Sequence, residues 1–553
     1  MKKRLDFSAE IRYNFGKRQT ESEVLAMKKG FHARDYQFSP TSVTFRTADE
    51  ALQKAYDRAE EFLKGNEMTY NDRRVIREGS NYPFVWLETQ PLGGEMYAKR
   101  NLEVGLNNVL IFLQYQRKDG RFPGMISDAG KGKGIVGHYD WIQGFYFALP
   151  ALKLAYMLDE NPLYLERLYS GLEDFDDYLW THRDSDGDGC LEVWCTWDTA
   201  EDNCTRYLRH GARDNGDGSF GGELPPTDMG DMPQESPEYM NYSYTCRDIL
   251  AKISALLGNG KEAYWREKAE EIRTYFKESL WDDSQHACFH RDRYDRVIPC
   301  LDHTNLRAMY HGTLTPEMAD DFLYYHLFNP EEFWTPSPLT AIAANNEYFL
   351  NDPCNNWSGA CQGLIYQRSV DAFHNYGHYA GAVAVGRHVV DLCKKHQVFH
   401  QQYDPFTGEP DPRRDGYGPM IFAFLEYLSF LWGVNCSMDE VSWSNLSAGE
   451  DSEYTQTAFG KTYTLLRKKG LATALLEGKE LFTLSAGLRA VTDRQGNLLR
   501  VICAEEISEG EICVNGAVFR GNVEPNGIYE CAEGKLVKIG GAKYFKPGQK
   551  PVK

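Results

Sequence analysis

No run of 18 or more apolar residues occurs in this 553-residue chain, so no segment is long enough to cross a bilayer as a helix. The N-terminal stretch MKKRLDFSAEIRYN starts basic but has no apolar segment behind it, and no secretory signal is expected. The 13 cysteines are scattered, with no C-x-x-C pair and no Cys/His cluster at zinc spacing. Neither a disulfide framework nor a metal site is therefore expected, and no cofactor. Basic runs are missing as well. With 61 Lys and Arg against 80 Asp and Glu, the net charge of −19 offers no phosphate-binding face and argues against nucleic acid. These absences point to a cytoplasmic protein with neither a membrane nor a nucleic-acid partner; no feature bears on oligomeric state.

Aromatic residues are abundant: 11 Trp, 34 Tyr and 29 Phe, surfaces that sugar rings and other flat ligands favour. The length exceeds the usual span of one core, so more than one domain is expected. Residues 1–45 mix charged and aromatic residues without helical period and are expected to be extended pieces packed on the main body. Thr47 and Glu50 form a capping-box pair, and Leu52, Ala55, Tyr56, Ala59, Phe62 and Leu63 keep a 3.6-residue stripe. Further helices are predicted around 96–117, 142–158, 161–182, 237–258, 260–281, 316–327, 357–369, 376–397 and 417–432, the last closed by Gly433 as a C′ residue.

Strand-like alternation is nearly absent over 46–435, and no 34- or 40-residue repeat is visible, which disfavours a solenoid. Helices in succession with uneven loops predict a mainly α fold, a closed toroid of helix pairs over 46–436 with a site at one end, because long irregular loops are usually functional. Over 440–553, short β-branched runs such as Lys461–Leu466, Leu481–Ser485, Leu499–Ala504 and Glu511–Val514 alternate with Gly, Asn and Asp turns. They predict an all-β, sandwich-like accessory domain.

Between Trp197 and Arg206 the chain reads W-D-T-A-E-D-N-C-T-R, placing Asp198, Glu201 and Asp202 in one loop flanked by Trp194 and Trp197. A pyranose site needs this combination: a ring stacks its C–H face on an indole, and a carboxyl beside apolar surface can hold a proton near neutral pH. The loop follows the acidic turn Asp184, Asp186, Asp188, Gly189. That turn resembles the opening of a calcium loop, but its twelfth position is Cys195 rather than a bidentate Glu, so it is read as turn chemistry.

Four further loops carry aromatic and charged residues together. Asn81–Arg100 holds Trp86, Glu88 and Gln90. Arg117–Ile126 presents Arg117, Asp119 and Arg121. HYDWIQ supplies Asp140 and Trp141, and NNWSGACQ supplies Trp357. A lone Arg in a turn is usually solvated and a lone Trp usually core; several such loops in one helical domain favour a common polar pocket. Trp86, Trp141, Trp197 and Trp357 are candidate stacking platforms. Arg117, Arg121, Gln90, Asp140, Glu88, Asn203 and His400 are candidate polar contacts to substrate.

With F-H-Q-Q-Y-D-P-F-T-G-E-P at Phe399–Pro410, the ordered motifs resemble those of the trehalase-like glycosidases: trehalases, the processing α-glucosidases of glycoside hydrolase family 63 and the mannosylglycerate hydrolases. The resemblance covers roughly residues 80–435 and implies an (α/α)6 barrel and anomer-inverting hydrolysis. Residues 197–206 resemble W-E-S-G-x-D-N-S-P-R, which gives Asp202 the proton-donor role. NNWSGA resembles N-Y-W-R-G-P, with Ser358 where the family pattern has Arg. The last motif resembles E-x-Y-D/N-P-x-T-G, whose Glu is the catalytic base, and here that position is Gln401.

A glutamine amide takes no proton from water at a useful pH. Position 401 therefore leaves three possibilities: a substrate-trapping Glu→Gln variant; a different carboxylate as base, with Glu409, Asp411 and Asp404 nearest in sequence; or a protein that does not hydrolyse, either a phosphorylase, with His400, Arg413 and Arg414 to hold phosphate, or a sugar-binding protein. The leading expectation is an exo-acting, inverting, α-glucosidase-like hydrolase of small oligosaccharides or glycosides. With Glu at position 401 the two carboxyls would stand about 6.5–9.5 Å apart.

Overall fold

Asp49 starts the first long helix, Glu50–Asn66: its side chain accepts the Leu52 N–H at 3.0 Å, and Leu52, Ala55, Tyr56, Ala59 and Leu63 bury one face. The capping box predicted at Thr47 and Glu50 does not form. Thr47 is the last residue of a strand, Ser42–Thr47, and its hydroxyl accepts from Asp49 N instead. The computed structural model describes residues 29–79, 82–128, 134–212, 224–226, 229–447 and 449–552. Residues 1–28 of the N-terminal segment, and Asn81 of the first aromatic loop, lie outside the described residues.

Helices dominate the chain as far as Trp432, and β-strands follow to Gly541. The helix predicted over 96–117 is two, Gln90–Ala98 and Leu102–Gln114, with Asn101 capping the second at Val104 N. Their contact depends on glycine: a Cβ on Gly105 would fall 2.5 Å from the Gly94 carbonyl oxygen. The helix Pro237–Leu257 is capped by Ser236 and ends at Gly258 with φ 61°, a left-handed stop. Thr304–His311 was not predicted: it is only eight residues long, and half of them, Thr304, Asn305, Arg307 and His311, are polar although buried.

Gly418–Trp432 is buried along its whole length. Gly433 follows it as expected but is extended, φ −140°, rather than left-handed. Glycine serves there because a Cβ would meet the Tyr454 ring at 2.7 Å.

A 13-stranded sheet closes the chain, running from Ser42–Thr47 at one edge to Val434–Ser437 at the other. The N-terminal edge strand pairs antiparallel with Ser452–Ala458, while Phe45 packs its ring on Tyr56 of the first helix. Thus part of the N-terminal segment belongs to the sheet as well as to the helical body. Buried Trp443, near the second edge, packs on Tyr463 and Phe482 of the other half (ring centroids 5.9 and 5.8 Å), so the sheet folds over itself.

Short sheets interrupt the helical part where alternation was not seen. Val85–Trp86, Met125–Asp128 and Ile135–His138 form one, and Cys361–Gln362 pairs with Gln402–Tyr403 in another. These small ladders bring the sequence-distant loops together.

Candidate active site

The loop 192–206 separates its three carboxylates. Asp198 is buried and accepts from Arg183 Nη1 (2.6 Å), Ile142 N (3.1 Å) and Trp194 N (3.0 Å). Burial works against its charge, but the Arg183 guanidinium and the two backbone N–H groups override it and hold the carboxyl below the usual carboxylate range. Glu201 is also fully buried, paired with Arg206 and accepting from Thr199 Oγ1 at 2.8 Å; burial pushes its pKa up. Trp194 belongs to the core, with Arg183 stacked 3.9 Å over its ring. Only Asp202 reaches a cavity. Ala200 (φ 59°) and Asn203 (φ 57°) make the left-handed bends on either side of it, unusual for residues with a Cβ.

That cavity, about 180 Å³, is walled by Trp86, Trp141, Trp197 and Trp357, with Asp202, Gln401, Glu78 and Glu88 among its polar groups. The indoles of Trp141 and Trp197 meet edge to face, 4.8 Å between centroids. Asn355 Nδ2 donates to Asp202 Oδ2 at 2.6 Å, and Asn355 Oδ1 accepts from Gln401 Nε2 at 2.8 Å. The Gln401 oxygen accepts from Tyr82 Oη and Arg413 Nη1, each at 2.8 Å.

Backbone contacts fix this arrangement. Trp357 N donates to Asp202 O (3.1 Å) and Gly363 N to Gln401 O (2.9 Å). Ser358, where the family pattern has Arg, is buried and accepts from Thr205 N at 2.8 Å, so it locks the acid loop rather than meeting a ligand.

Glu88 accepts from Arg368 Nη2 at 2.9 Å; burial dominates over that guanidinium and raises its pKa to about 7. Glu78 sits beside Tyr417, whose hydroxyl hydrogen-bonds it. Burial first, then the neighbouring Glu88 carboxyl, push its pKa well above the carboxyl range against that hydrogen bond; the Asp202 carboxyl adds to the rise. Sequence reasoning missed Glu78 and Tyr417. They meet because residues 78–79 and 416–418 run back to back: Gly418 N donates to Glu78 O at 2.7 Å, and a Cβ on Gly79 would fall 2.5 Å from Gly416 O. The available signals were an acidic residue just before the first aromatic loop and two glycines around Tyr417.

Six of the residues expected to contact substrate do not line the cavity. Arg117 pairs with Asp119 and stacks on Tyr139, and Arg121 is buried near the Tyr178 ring. Gln90 is buried in the first turn of its helix. Asn203 donates to Asn355 O at 2.9 Å, His400 bonds the Asp411 carbonyl oxygen through Nδ1 at 2.7 Å, and Asp140 is half-buried off the wall. For Arg117, Asn203 and His400 a nearer protein partner holds the side chain.

Nor do the proposed substitutes for a base line it. Asp404 accepts from Asn351 Nδ2 and two turn amides, Glu409 is exposed beside Lys395, and Asp411 accepts from Gln402 N. In the acidic turn, Asp184, Asp186 and Asp188 accept backbone N–H groups of the turn itself.

The family model for the mannosylglycerate hydrolase MGH1-like glycoside hydrolase domain matches residues 84–418. The chain belongs to this family. The match spans the acid loop, the Asn355 loop and position 401, and ends at the start of the buried helix Gly418–Trp432. No curated protein matches the sequence.

Among solved structures, the family 63 mannosylglycerate hydrolase of Thermus thermophilus in complex with glucose is 18% identical, covering 68% of this chain and 99% of its own, with a TM-score of 0.53. A structure of the same enzyme holds Tris and D-glycerate. Neutral trehalase of Saccharomyces cerevisiae is 13% identical over 68% of this chain and 80% of its own, TM-score 0.50. A sialidase is 14% identical over 82% of this chain but 42% of its own, TM-score 0.61. At these identities the likeness is one of fold. Among the described residues, no helix is long and apolar enough to cross a membrane, and each of the 13 cysteines is free.

Proposed function

We propose that this glycoside hydrolase is an exo-acting, anomer-inverting enzyme of the cytoplasm that cleaves small α-linked glycosides on a toroid of helix pairs. The observation that carries the proposal is the placement of Asp202 and Gln401 on the two ends of the Asn355 amide, inside a cavity walled by tryptophans. The Asn355 amide links the acid to the position where the family pattern has its base, so the two ends of the reaction the resemblance implies meet in one cavity.

Asp202 is the group that protonates the glycosidic oxygen, and water attacks the anomeric carbon from the side of Gln401. The cavity volume of about 180 Å³ lies below the ~300–1,000 Å³ of common ligand pockets, so it suits one sugar ring rather than a chain. Trp141 and Trp197 form the stacking corner. The indole N–H groups of Trp86 and Trp141 find no protein acceptor among the described residues and are donors for sugar hydroxyls. The glucose and D-glycerate bound by the Thermus relative make α-glucosides and mannosylglycerate the first substrates to try.

The test is a panel of aryl α-glycosides, α-linked disaccharides and mannosylglycerate, with NMR reading the anomer first released. Inverted product supports the proposal; retained configuration, or binding without turnover across the panel, overturns it. Arg413, bonded to the Gln401 oxygen, keeps phosphorolysis as the second possibility. Sugar phosphate formed only when phosphate is added would establish it instead.

A further inference from the structure

The cavity holds three carboxyl groups, Asp202, Glu78 and Glu88, together with an amide that cannot act as a base. Resting on the hydrolase reading above, we propose that Glu78 is the catalytic residue that deprotonates the attacking water, the task position 401 cannot perform.

The wall of the cavity supports this assignment. Tyr82 Oη donates to Gln401 Oε1 at 2.8 Å, the Tyr82 ring lies 6.1 Å from that of Tyr417, and the Tyr417 hydroxyl bonds Glu78. The two tyrosine rings thus stand side by side, one bonded to Gln401 and the other to Glu78, while Asn355 links Gln401 to Asp202. The backbone under Glu78 is held at both ends, its N–H on Phe84 O (3.2 Å) and its carbonyl on Gly418 N (2.7 Å). Gly418 can carry no side chain there, since a Cβ would lie 2.1 Å from the Glu78 oxygen. The third carboxyl, Glu88, is engaged by the Arg368 guanidinium at 2.9 Å.

The step balances as a single displacement. The water oxygen forms a bond to the anomeric carbon while the bond from that carbon to the glycosidic oxygen breaks. The leaving oxygen takes the proton of Asp202, and the Glu78 carboxylate takes a proton from the water. One water is consumed, the anomeric centre inverts, and solvent carries the proton from Glu78 back to Asp202. Gln401, with both ends of its amide tied, positions the water.

The charges facing Glu78 set when it can act. Glu88 and Asp202 raise its pKa together with burial, while the Tyr417 hydroxyl and Arg368 lower it, and the net direction is upward. A base held protonated in this way becomes competent as pH rises, so kcat/KM should climb along an acidic limb governed by Glu78.

The experiment uses the full chain and the best aryl glycoside of the panel, with Glu78→Gln, Glu78→Ala, Glu88→Gln, Glu88→Ala and the exposed Glu409→Gln as control. Thermal melting establishes that each variant folds. Glu78→Gln is expected to lower kcat about 10²–10⁴-fold with KM little changed and to abolish the acidic limb. Azide should revive Glu78→Ala by attacking the anomeric carbon directly, giving glycosyl azide of inverted configuration, and should not revive Glu88→Ala. Glu409→Gln should match the unmodified chain. Glu78→Gln within about threefold of full kcat with its acidic limb intact, or azide rescue that follows Glu88 instead, would overturn the assignment and leave the hydrolase reading standing. Absence of turnover by the unmodified chain would remove the hydrolase reading itself.

Discussion

Asp202 and Gln401 are tied to opposite ends of one amide, that of Asn355, which donates to the acid and accepts from the glutamine. The direction of this chain of hydrogen bonds matters. Tyr82 and Arg413 are both donors, so the Gln401 oxygen must face them and its NH2 must face Asn355 Oδ1. A glutamate at 401 has no proton to give to Asn355 Oδ1. It would meet an oxygen there, or force Asn355 to turn over and exchange the N–H it gives Asp202 for an oxygen that the acid can bond only by donating its own proton. The surroundings of position 401 are therefore matched to an amide.

Gln401→Glu is accordingly expected to lower activity at neutral pH rather than raise it, and to cost about 1–3 kcal/mol of stability through the mispaired amide. Steady-state kinetics and denaturant unfolding measure both effects. A gain of tenfold or more in kcat would show that the position still works as a base site.

Asp202→Asn should reduce kcat about 10²–10⁴-fold on glycosides with poor leaving groups and far less on activated aryl glycosides, whose departure needs little protonation. Equal losses on both would mean that Asp202 is not the proton donor.

Asp198 lies four residues earlier and should behave oppositely. Asp198→Ala leaves Arg183 buried without its carboxylate and is expected to cost about 3–5 kcal/mol of stability. Asp202→Asn should melt close to the unmodified chain. The contrast separates a carboxylate that holds the loop from one that faces the cavity.

Glu88 sets a pH dependence of stability. Its folded pKa, about 7, lies above the ordinary 4.5, so the folded state binds its proton more tightly than the unfolded one. The stabilisation is complete below about pH 4.5 and lost as pH rises through about 7, amounting to about 3 kcal/mol at most. Glu88→Gln should flatten the fall in melting temperature over that window; an unchanged slope would mean that Glu88 titrates normally in the fold.

Trp141→Ala should open the stacking corner with Trp197 and raise KM about tenfold, the loss of roughly 1–1.5 kcal/mol, with kcat less affected. Isothermal titration with the sugar product gives the same quantity without turnover.

The helices with one polar and one apolar face were legible from periodicity, as Glu50–Asn66 and Glu262–Tyr275 illustrate, and the alternating runs after residue 440 marked the terminal sheet. Thr304–His311 was not, because eight residues give barely two turns of periodicity and its polar Thr304, Asn305, Arg307 and His311 are buried against expectation. The motif around Asp202 could be recognised as a string of residue types, and its resemblance to the family pattern pointed to Asp202. The loop's composition alone could not separate the three carboxylates, since that depends on Arg183 and Arg206 pairing with Asp198 and Glu201 in the fold.

By itself the sequence determined the local events: where backbone hydrogen bonds close into helices, where turns fall, and which loops carry indoles and acids together. Tertiary structure alone decided which distant groups share a cavity. Glu78 and Gln401 lie more than 300 residues apart and become neighbours only because two glycine-bearing segments press together and two short ladders stitch the loops; no local propensity encodes that distance.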